Sequence, residues 1–255
     1  MFETQPLSRA QTDLFQKKGW VAAPRFFNTD EIAQVAAWTE ELLARPEKPG
    51  THWVYYEDSR SAPGRRIVQR VENFCPFHRG FDGLVHDERR TTATDQLLGG
   101  PTVLFKEKIN LKLPGGGGFE PHQDQQAGWS TYAPMFVTAL VSIDSSSEAN
   151  GCLLMAYGPR VAGMIGQEWQ PLTADYMKGL AFKALPTGPG DVLFFDSYAP
   201  HLSAPNQSGE QRRILYLTYN RASDGDHRAR YYADKHKNFP PDIERGAGKT
   251  YTFRV

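Results

Sequence analysis

From residue 66 onward the chain is a succession of short runs rich in Val, Ile, Leu, Tyr and Phe, each closed by Gly, Pro, Asn or Asp. They are Arg66–Glu72, Val103–Leu113, Met135–Ile143, Cys152–Ala156, Val192–Phe195 and Ile214–Tyr219. Runs of this composition, punctuated in this way, argue for strands. The first fifty residues read differently. Asn28 followed by Glu31 is a capping-box pattern. Ile32, Val35, Ala36, Leu42 and Leu43 then recur at helical spacing, and a shorter helix around Ser8–Lys18 is expected before them. Helices followed by many short strands define an α+β class, mainly β, with a sandwich or barrel as the main body. The aromatic stretch "THWVYYEDSRSAPG" between the two parts reads as a loop, with Trp53, Tyr55 and Tyr56 in a candidate lid. The polar segment His227–Lys237 reads as a last helix.

Composition removes several function classes. The 255 residues carry 29 basic and 29 acidic side chains, so no basic excess points to nucleic acid. The two cysteines, Cys75 and Cys152, do not make a disulfide framework and suit a reducing compartment. The opening "MFETQPLSRAQ" has an early Glu3 and no apolar core, so no secretory leader is expected. Apolar runs such as Val137–Val141 are far short of a membrane span. A soluble, cytoplasmic protein with a small-molecule partner is expected, with no nucleic acid and no membrane. The tail contains "GKT", but Ile243 stands where a phosphate loop needs its first Gly, and no strand-to-helix context follows.

The chemistry concentrates in "GGGGFEPHQDQQAGW". If Glu120–Asp124 enters a strand, His122 and Asp124 share one face, about 6–7 Å apart, and can converge on one ion. A third ligand must come from elsewhere, and His201 in "PGDVLFFDSYAPHLSAPN" is the candidate, 77 residues past Asp124. Two imidazoles and one carboxylate with open positions form the facial triad of non-haem iron(II) oxygenases. Ser203 follows His201 by two positions and Arg212 by eleven. An arginine opening a strand there can grip a carboxylate bidentately, with the Ser203 hydroxyl as a further donor. His52, His78, His86, His227 and His236 show no such pattern. In "FKEKINLKL", Lys106, Lys108, Asn110 and Lys112 share one face; periodicity leaves open whether it lines a polar cavity or meets water.

Together "HQD … PGDVLFFDSYAPHLS … RR" resembles the phytanoyl-CoA dioxygenase family of Fe(II)/2-oxoglutarate oxygenases. "LFQKKGWVAAPRFFNTDEIAQV" is similar to the family's opening helix, strand and helix, and "ANGCLLMAYGPR" to its Asn-Gly-x-Leu segment, so the likeness covers roughly residues 8–222. It implies a double-stranded β-helix (jelly-roll, cupin-like) core with the N-terminal helices packed on it. The chain would be one domain over residues 1–255: a helical part about 1–50, the core about 65–222 and a tail 223–255. It implies Fe(II), 2-oxoglutarate and O₂ as cofactor and cosubstrates. His122, Asp124 and His201 would be the iron ligands, with Arg212, Ser203 and Asn110 toward 2-oxoglutarate. One departure is Gly158-Pro159-Arg160, where many members have Gly-Ser-His.

Within the family, "HQDQQAGW", "FFDSYAPHLSAPN", "LYLTYN" and "RYYADK…PPDIER" look closest to the bacterial dioxygenases of 2-aminoethylphosphonate and its N-trimethyl analogue. That branch hydroxylates the carbon beside phosphorus. Such a substrate needs cationic groups for the phosphonate and carboxylate or aromatic faces for the ammonium. Arg70, Glu72, Trp129, Tyr132 and Arg160 are the candidates; the plain alternative for each is a core aromatic or a surface ion pair. Other small amines, amino acids or secondary metabolites stand as alternative substrates, and a non-catalytic jelly-roll binding module as the alternative class. Halogenation is disfavoured because Asp124 fills the place a halide needs. Gly115–Gly118 reads as a mobile rim at the site mouth that rearranges on substrate entry.

Overall fold

The computed structural model describes residues 7–251; residues 1–6, part of the leader reading, and 252–255, the end of the "GKT" tail, lie outside the described residues. In chain order the elements are α1 (Arg9–Lys18), β1 (Trp20–Ala23), α2 (Thr29–Ala44), β2 (Trp53–Asp58), β3 (Arg66–Glu72), α3 (Arg79–Val85), α4 (Glu88–Leu98) and β4 (Thr102–Lys112). Then follow β5 (Phe119–His122), β6 (Val137–Ser142), β7 (Leu153–Ala156), α5 (Ala174–Met177), β8 (Phe182–Leu185), β9 (Val192–Asp196), β10 (His201–Ser203), β11 (Arg212–Arg221) and α6 (Arg228–Asn238). Among these residues no helix is long and apolar enough to cross a membrane.

Both N-terminal helices begin where their caps dictate. Asn28 Oδ1 accepts from the Glu31 N–H at 2.9 Å, and Glu31 Oε2 accepts from the Asn28 N–H at 2.8 Å. Ser8 and Gln11 form the same reciprocal box at α1. Each such cap stabilises its helix by about 1 kcal/mol. Gly19 ends α1 in a left-handed conformation (φ 78°), and a Cβ there would lie 2.9 Å from Asp196 Oδ2, so only glycine fits.

The strands form two antiparallel sheets, ordered β1-β9-β6-β11-β4-β3-β2 and β5-β10-β7-β8. The period of two sorts the large sheet's side chains. One face (Ile109, Val141, Phe194, Leu215, Leu217) packs against Phe15, Val35, Phe81 and Leu97 of the helices. The other face (Leu140, Phe195, Ile214, Tyr216) meets Leu153 and Met155 of the small sheet. The register of β4 and β11 skips Phe105, which turns into a third cluster with Trp53, Trp129, Tyr231 and Tyr232.

Three expectations are corrected. Residues 53–58 form β2, paired along β3, rather than a loop. Trp53 packs edge-on against Tyr232 (5.1 Å) and Tyr55 stacks on Phe239 (5.3 Å), so these rings are core rather than lid. Their aromatic content suits a half-buried pleat, and the polar residues after them obscured it. The strand at His122 stops there, and Asp124 opens a 3-10 turn, Asp124–Ala127. α3 and α4 fill a stretch with no expected element.

α6 lies against β4 through a buried carboxylate. Glu107 accepts from Arg228 Nη2 (2.6 Å) and Nε (3.1 Å), from the Tyr232 hydroxyl (3.2 Å) and from the Cys75 N–H (3.0 Å). Replacing Arg228 with methionine leaves that carboxylate without its cation. The expected cost is about 3–5 kcal/mol, read as a lower midpoint in urea unfolding. An unchanged midpoint would show that Glu107 does not depend on the pair.

Candidate active site

His201 opens β10 directly across from His122, the last residue of β5. Their rings lie 4.3 Å apart. One potential ligand atom from each of His122, Asp124 and His201 lies within 4.8 Å of the others. His122 Nδ1–H donates to the Glu120 carbonyl (2.6 Å) and His201 Nδ1–H to the Ala199 carbonyl (2.9 Å). A carbonyl can only accept, so each Nε2 keeps its lone pair for a metal. Burial, with His201 beside it, pushes the His122 imidazole down to about 3. Burial also lowers His201. Burial works to raise Asp124, but His201, Lys108 and His122 outweigh it and hold the carboxyl below its ordinary value. Two neutral imidazoles and a carboxylate are the protonation states that bind a divalent ion.

The glutamines of "HQDQQ" aim this turn. Gln123, Gln125 and Gln126 are fully buried. Gln123 Nε2 donates to the Gly163 and Tyr198 carbonyls, Gln126 Nε2 to those of Gln167 and Gln170, and the Gln125 N–H to Ser197. The glycines before it are also packed. Gly115 has φ +81° and its carbonyl accepts from the Arg60 N–H (2.8 Å); a Cβ on Gly118 would come within 2.6 Å of the Ser203 carbonyl. The run is a tight turn against β10 in this structure.

Behind the triad lies a second polar group. Arg212, Ile214 and Tyr216 share the inward face of β11, and Arg212 is fully buried. The Tyr216 hydroxyl stands beside the Arg212 guanidinium and favours its charge, but among the described residues no carboxylate pairs with it and none of Nε, Nη1 and Nη2 makes a hydrogen bond of good geometry. Asn110 Oδ1 is buried and likewise unsatisfied. Ser203 Oγ accepts from Lys112 Nζ at 2.8 Å. A desolvated guanidinium without a carboxylate is costly, and an anionic ligand answers it. The carboxylate of 2-oxoglutarate fits that donor set.

A cavity of about 660 Å³ opens on His122 and Asp124. The polar face of β4 reaches it through Lys106 and Lys108, which settles that this face lines a cavity. β3 contributes Arg70 and Glu72, paired at 3.0 Å. Lys235 of α6 also pairs with Glu72. Burial acts to raise the Glu72 carboxyl; Lys235, Lys106 and Arg70 outweigh it and hold it well below the carboxylate range. Lys106 Nζ lies 5.2 Å from the rings of Trp129 and Tyr231, and Lys108 Nζ 4.7 Å from Tyr216. Neither ammonium has a carboxylate at ion-pair distance among the described residues. Burial and Lys106 push Lys108 down to about 8.

Trp129 and Tyr132 stand on the cavity wall, with the Tyr132 hydroxyl donating to Asp234 at 2.9 Å. Arg160 does not. Its guanidinium holds Asp196 (2.8 Å) and donates to Gln16 Oε1 (3.0 Å), beside α1 and away from the cavity. From sequence, Lys106 and Lys108 read as one polar face with its surroundings left open, and α6 as a last helix with no part in the site; Tyr216 is not singled out, and its place four past Arg212 on one face is the signal that could have found it.

Two facing antiparallel sheets, a His-Asp-His cluster at one mouth and a buried arginine with no ion-pair partner among the described residues define a metal-dependent jelly-roll oxygenase. Residues 15–214 match the family described as phytanoyl-CoA dioxygenase (PhyH). The chain is 39% identical over 246 residues to the 2-aminoethylphosphonate dioxygenase of uncultured bacterium HF130_AEPn_1, covering 96% of this chain and 94% of that one. It is 35% identical over 250 residues to the methylphosphonate hydroxylase of Gimesia maris, covering 98% and 94%. The crystal structure of EctD from S. alaskensis with 2-oxoglutarate and 5-hydroxyectoine has the same fold, with TM-score 0.70 at 21% identity over 88% of this chain and 79% of that one. The chain therefore belongs to the phytanoyl-CoA dioxygenase family. It is an Fe(II)/2-oxoglutarate-dependent oxygenase on a double-stranded β-helix.

Proposed function

We propose that this enzyme hydroxylates the carbon next to phosphorus in a small aminophosphonate, 2-aminoethylphosphonate or its N-trimethyl analogue, with succinate and CO₂ as coproducts. His122, Asp124 and His201 hold the iron. Arg212, with Ser203 and Asn110 nearby, receives 2-oxoglutarate. Bound iron with 2-oxoglutarate and O₂ supplies the oxidising power. The protein orients the substrate and keeps water away. The whole chain acts as one catalytic domain, since cavity walls come from Arg70 through to Tyr251.

The observation that carries the substrate class is the pair of ammonium groups, Lys106 and Lys108, on the cavity wall with His122 and Asp124 and with no carboxylate at ion-pair distance among the described residues. A phosphonate dianion supplies the charge they lack. The rings of Trp129, Tyr132 and Tyr231 line the same cavity, and they would take an ammonium or trimethylammonium end where a phosphonate draws Lys106 off them. The relatives at 39% and 35% identity, whose names specify phosphonates, support this reading. Lys106→Met is expected to raise KM for the phosphonate about 10- to 100-fold, the worth of a hydrogen bond to a charged group, with KM for 2-oxoglutarate unchanged. Equal effects on both constants would contradict the assignment.

A second reading is methylphosphonate. The cavity's carboxylates are already engaged, Glu72 by Arg70 and Lys235 and Asp234 by Tyr132. A substrate with no ammonium therefore uses only the lysines. Succinate formation stimulated by methylphosphonate and not by either aminophosphonate would establish it.

A further inference from the structure

The last inward residue of β4 is Lys112. Its ammonium is buried and meets three oxygens: Ser203 Oγ (2.8 Å), the Gly151 carbonyl (3.2 Å) and the Ala204 carbonyl (2.5 Å). Carbonyls only accept, so two of its protons are committed to them. A charged Lys112 gives its third to Ser203 Oγ. Ser203 must then aim its own single proton elsewhere. A neutral Lys112 has two protons and a lone pair, and the lone pair would take the Ser203 proton. The charge on Lys112 therefore sets the direction of the Ser203 hydroxyl.

The surroundings show where that hydroxyl is wanted. Lys112 sits directly across from Arg212 in the β4–β11 register. Among the described residues no carboxylate pairs with Arg212, and its three nitrogens make no hydrogen bond of good geometry beside the Tyr216 hydroxyl. The charged and titratable groups acting on Lys112 are Arg212 from β11, Glu57 from β2 and Cys152 just before β7, and no carboxylate among the described residues ion-pairs with it. Two cations and one orientable hydroxyl thus stand together, with no carboxylate ion-paired to either cation among the described residues.

We propose that Lys112 is a positioning residue for the cosubstrate: by donating to Ser203 Oγ it aims the Ser203 hydroxyl at the carboxylate that Arg212 binds. This rests on the reading that Arg212 and Ser203 receive 2-oxoglutarate. Burial and Arg212 push the Lys112 ammonium down to about 7. An incoming carboxylate favours the charged form and raises it again. Binding then takes up a proton, so affinity is greatest below the free-state value and falls as pH rises through it.

The test is a calorimetric titration of 2-oxoglutarate into anaerobic Fe(II)-loaded protein, at several pH values from about 6 to about 9 across the Lys112 window. Wild type is expected to lose about tenfold in affinity across that range, with Lys112→Met about tenfold weaker at the low end and flat in pH. Ser203→Ala is expected to at least halve the pH slope. The double variant should bind like Lys112→Met alone, because the two residues act as one unit. Multiplicative losses, or a wild-type slope in Lys112→Met, would overturn the proposal. If Lys112→Met does not fold, Ser203→Ala decides alone: a reduced slope supports the proposal and a full slope overturns it. Arg212→Met separates the two levels. Unchanged affinity there sinks the pocket reading itself, whereas loss there with a wild-type Lys112→Met sinks only the role of Lys112.

Discussion

His201→Ala is expected to abolish substrate-stimulated succinate formation while leaving the fold in place. The His201 side chain is buried, on a strand paired on both edges, and opposes His122 in register. Removing it leaves two donors where a facial site needs three. Loss of an outer-shell partner already costs 10- to 100-fold in metal affinity or activity, so loss of a ligand should cost on the order of 10³-fold or more. The price in stability is small by comparison. The Ala199 carbonyl loses its donor and a ring-sized space opens beside Phe195 (ring centroids 5.0 Å), which amounts to about 1–3 kcal/mol. Metal content and succinate yield should fall together, with the far-ultraviolet dichroism unchanged. Retained iron and retained turnover would remove His201 from the site.

Arg212→Met should move stability and function in opposite directions. The guanidinium is fully buried, and among the described residues no carboxylate pairs with it. Methionine fills much of the same space without the desolvated charge. Replacing buried ionic groups by packed apolar ones stabilises by about 1–4 kcal/mol in favourable cases, so cosubstrate-free Arg212→Met should melt higher than wild type. The same change removes the cation that answers a buried carboxylate, worth about 2–5 kcal/mol when one partner is truncated. Affinity for 2-oxoglutarate should fall by roughly two to three orders of magnitude. A lower melting temperature with unchanged 2-oxoglutarate affinity would mean that Arg212 serves the fold alone.

These effects explain which parts were legible in the sequence. His122, Asp124 and His201 could be read because a metal needs particular residue types, and the strand pattern supplied a shared direction. The turn that aims Asp124 could not. Its geometry comes from buried glutamine amides that bond to carbonyls about 40 residues away in residues 163–170 and about 75 away at Tyr198. The β2 strand was hidden for a similar reason. Trp53 and Tyr55 are held by Tyr232 and Phe239 from the far end of the chain. For Arg160 the structure shows the ion-pair alternative, since its partner, Asp196, becomes its neighbour only through the β1–β9 pairing. The wall that α6 adds lies beyond residue 214, where the match to the family ends. Its Lys235 acquires meaning only on reaching Glu72 of β3.

The central claim is that the His122, Asp124 and His201 site uses 2-oxoglutarate to oxidise a phosphonate held in the cavity beside it. Phosphorus NMR of 2-aminoethylphosphonate and its N-trimethyl analogue, incubated with the Fe(II)-loaded enzyme, 2-oxoglutarate and O₂, tests it most directly when succinate is counted in the same sample. The expected result is conversion of one or both to a 1-hydroxy product, matched one-to-one by succinate and absent in His201→Ala. Succinate formed with no change at phosphorus for any phosphonate, alongside stimulation by an unrelated amine, would contradict it.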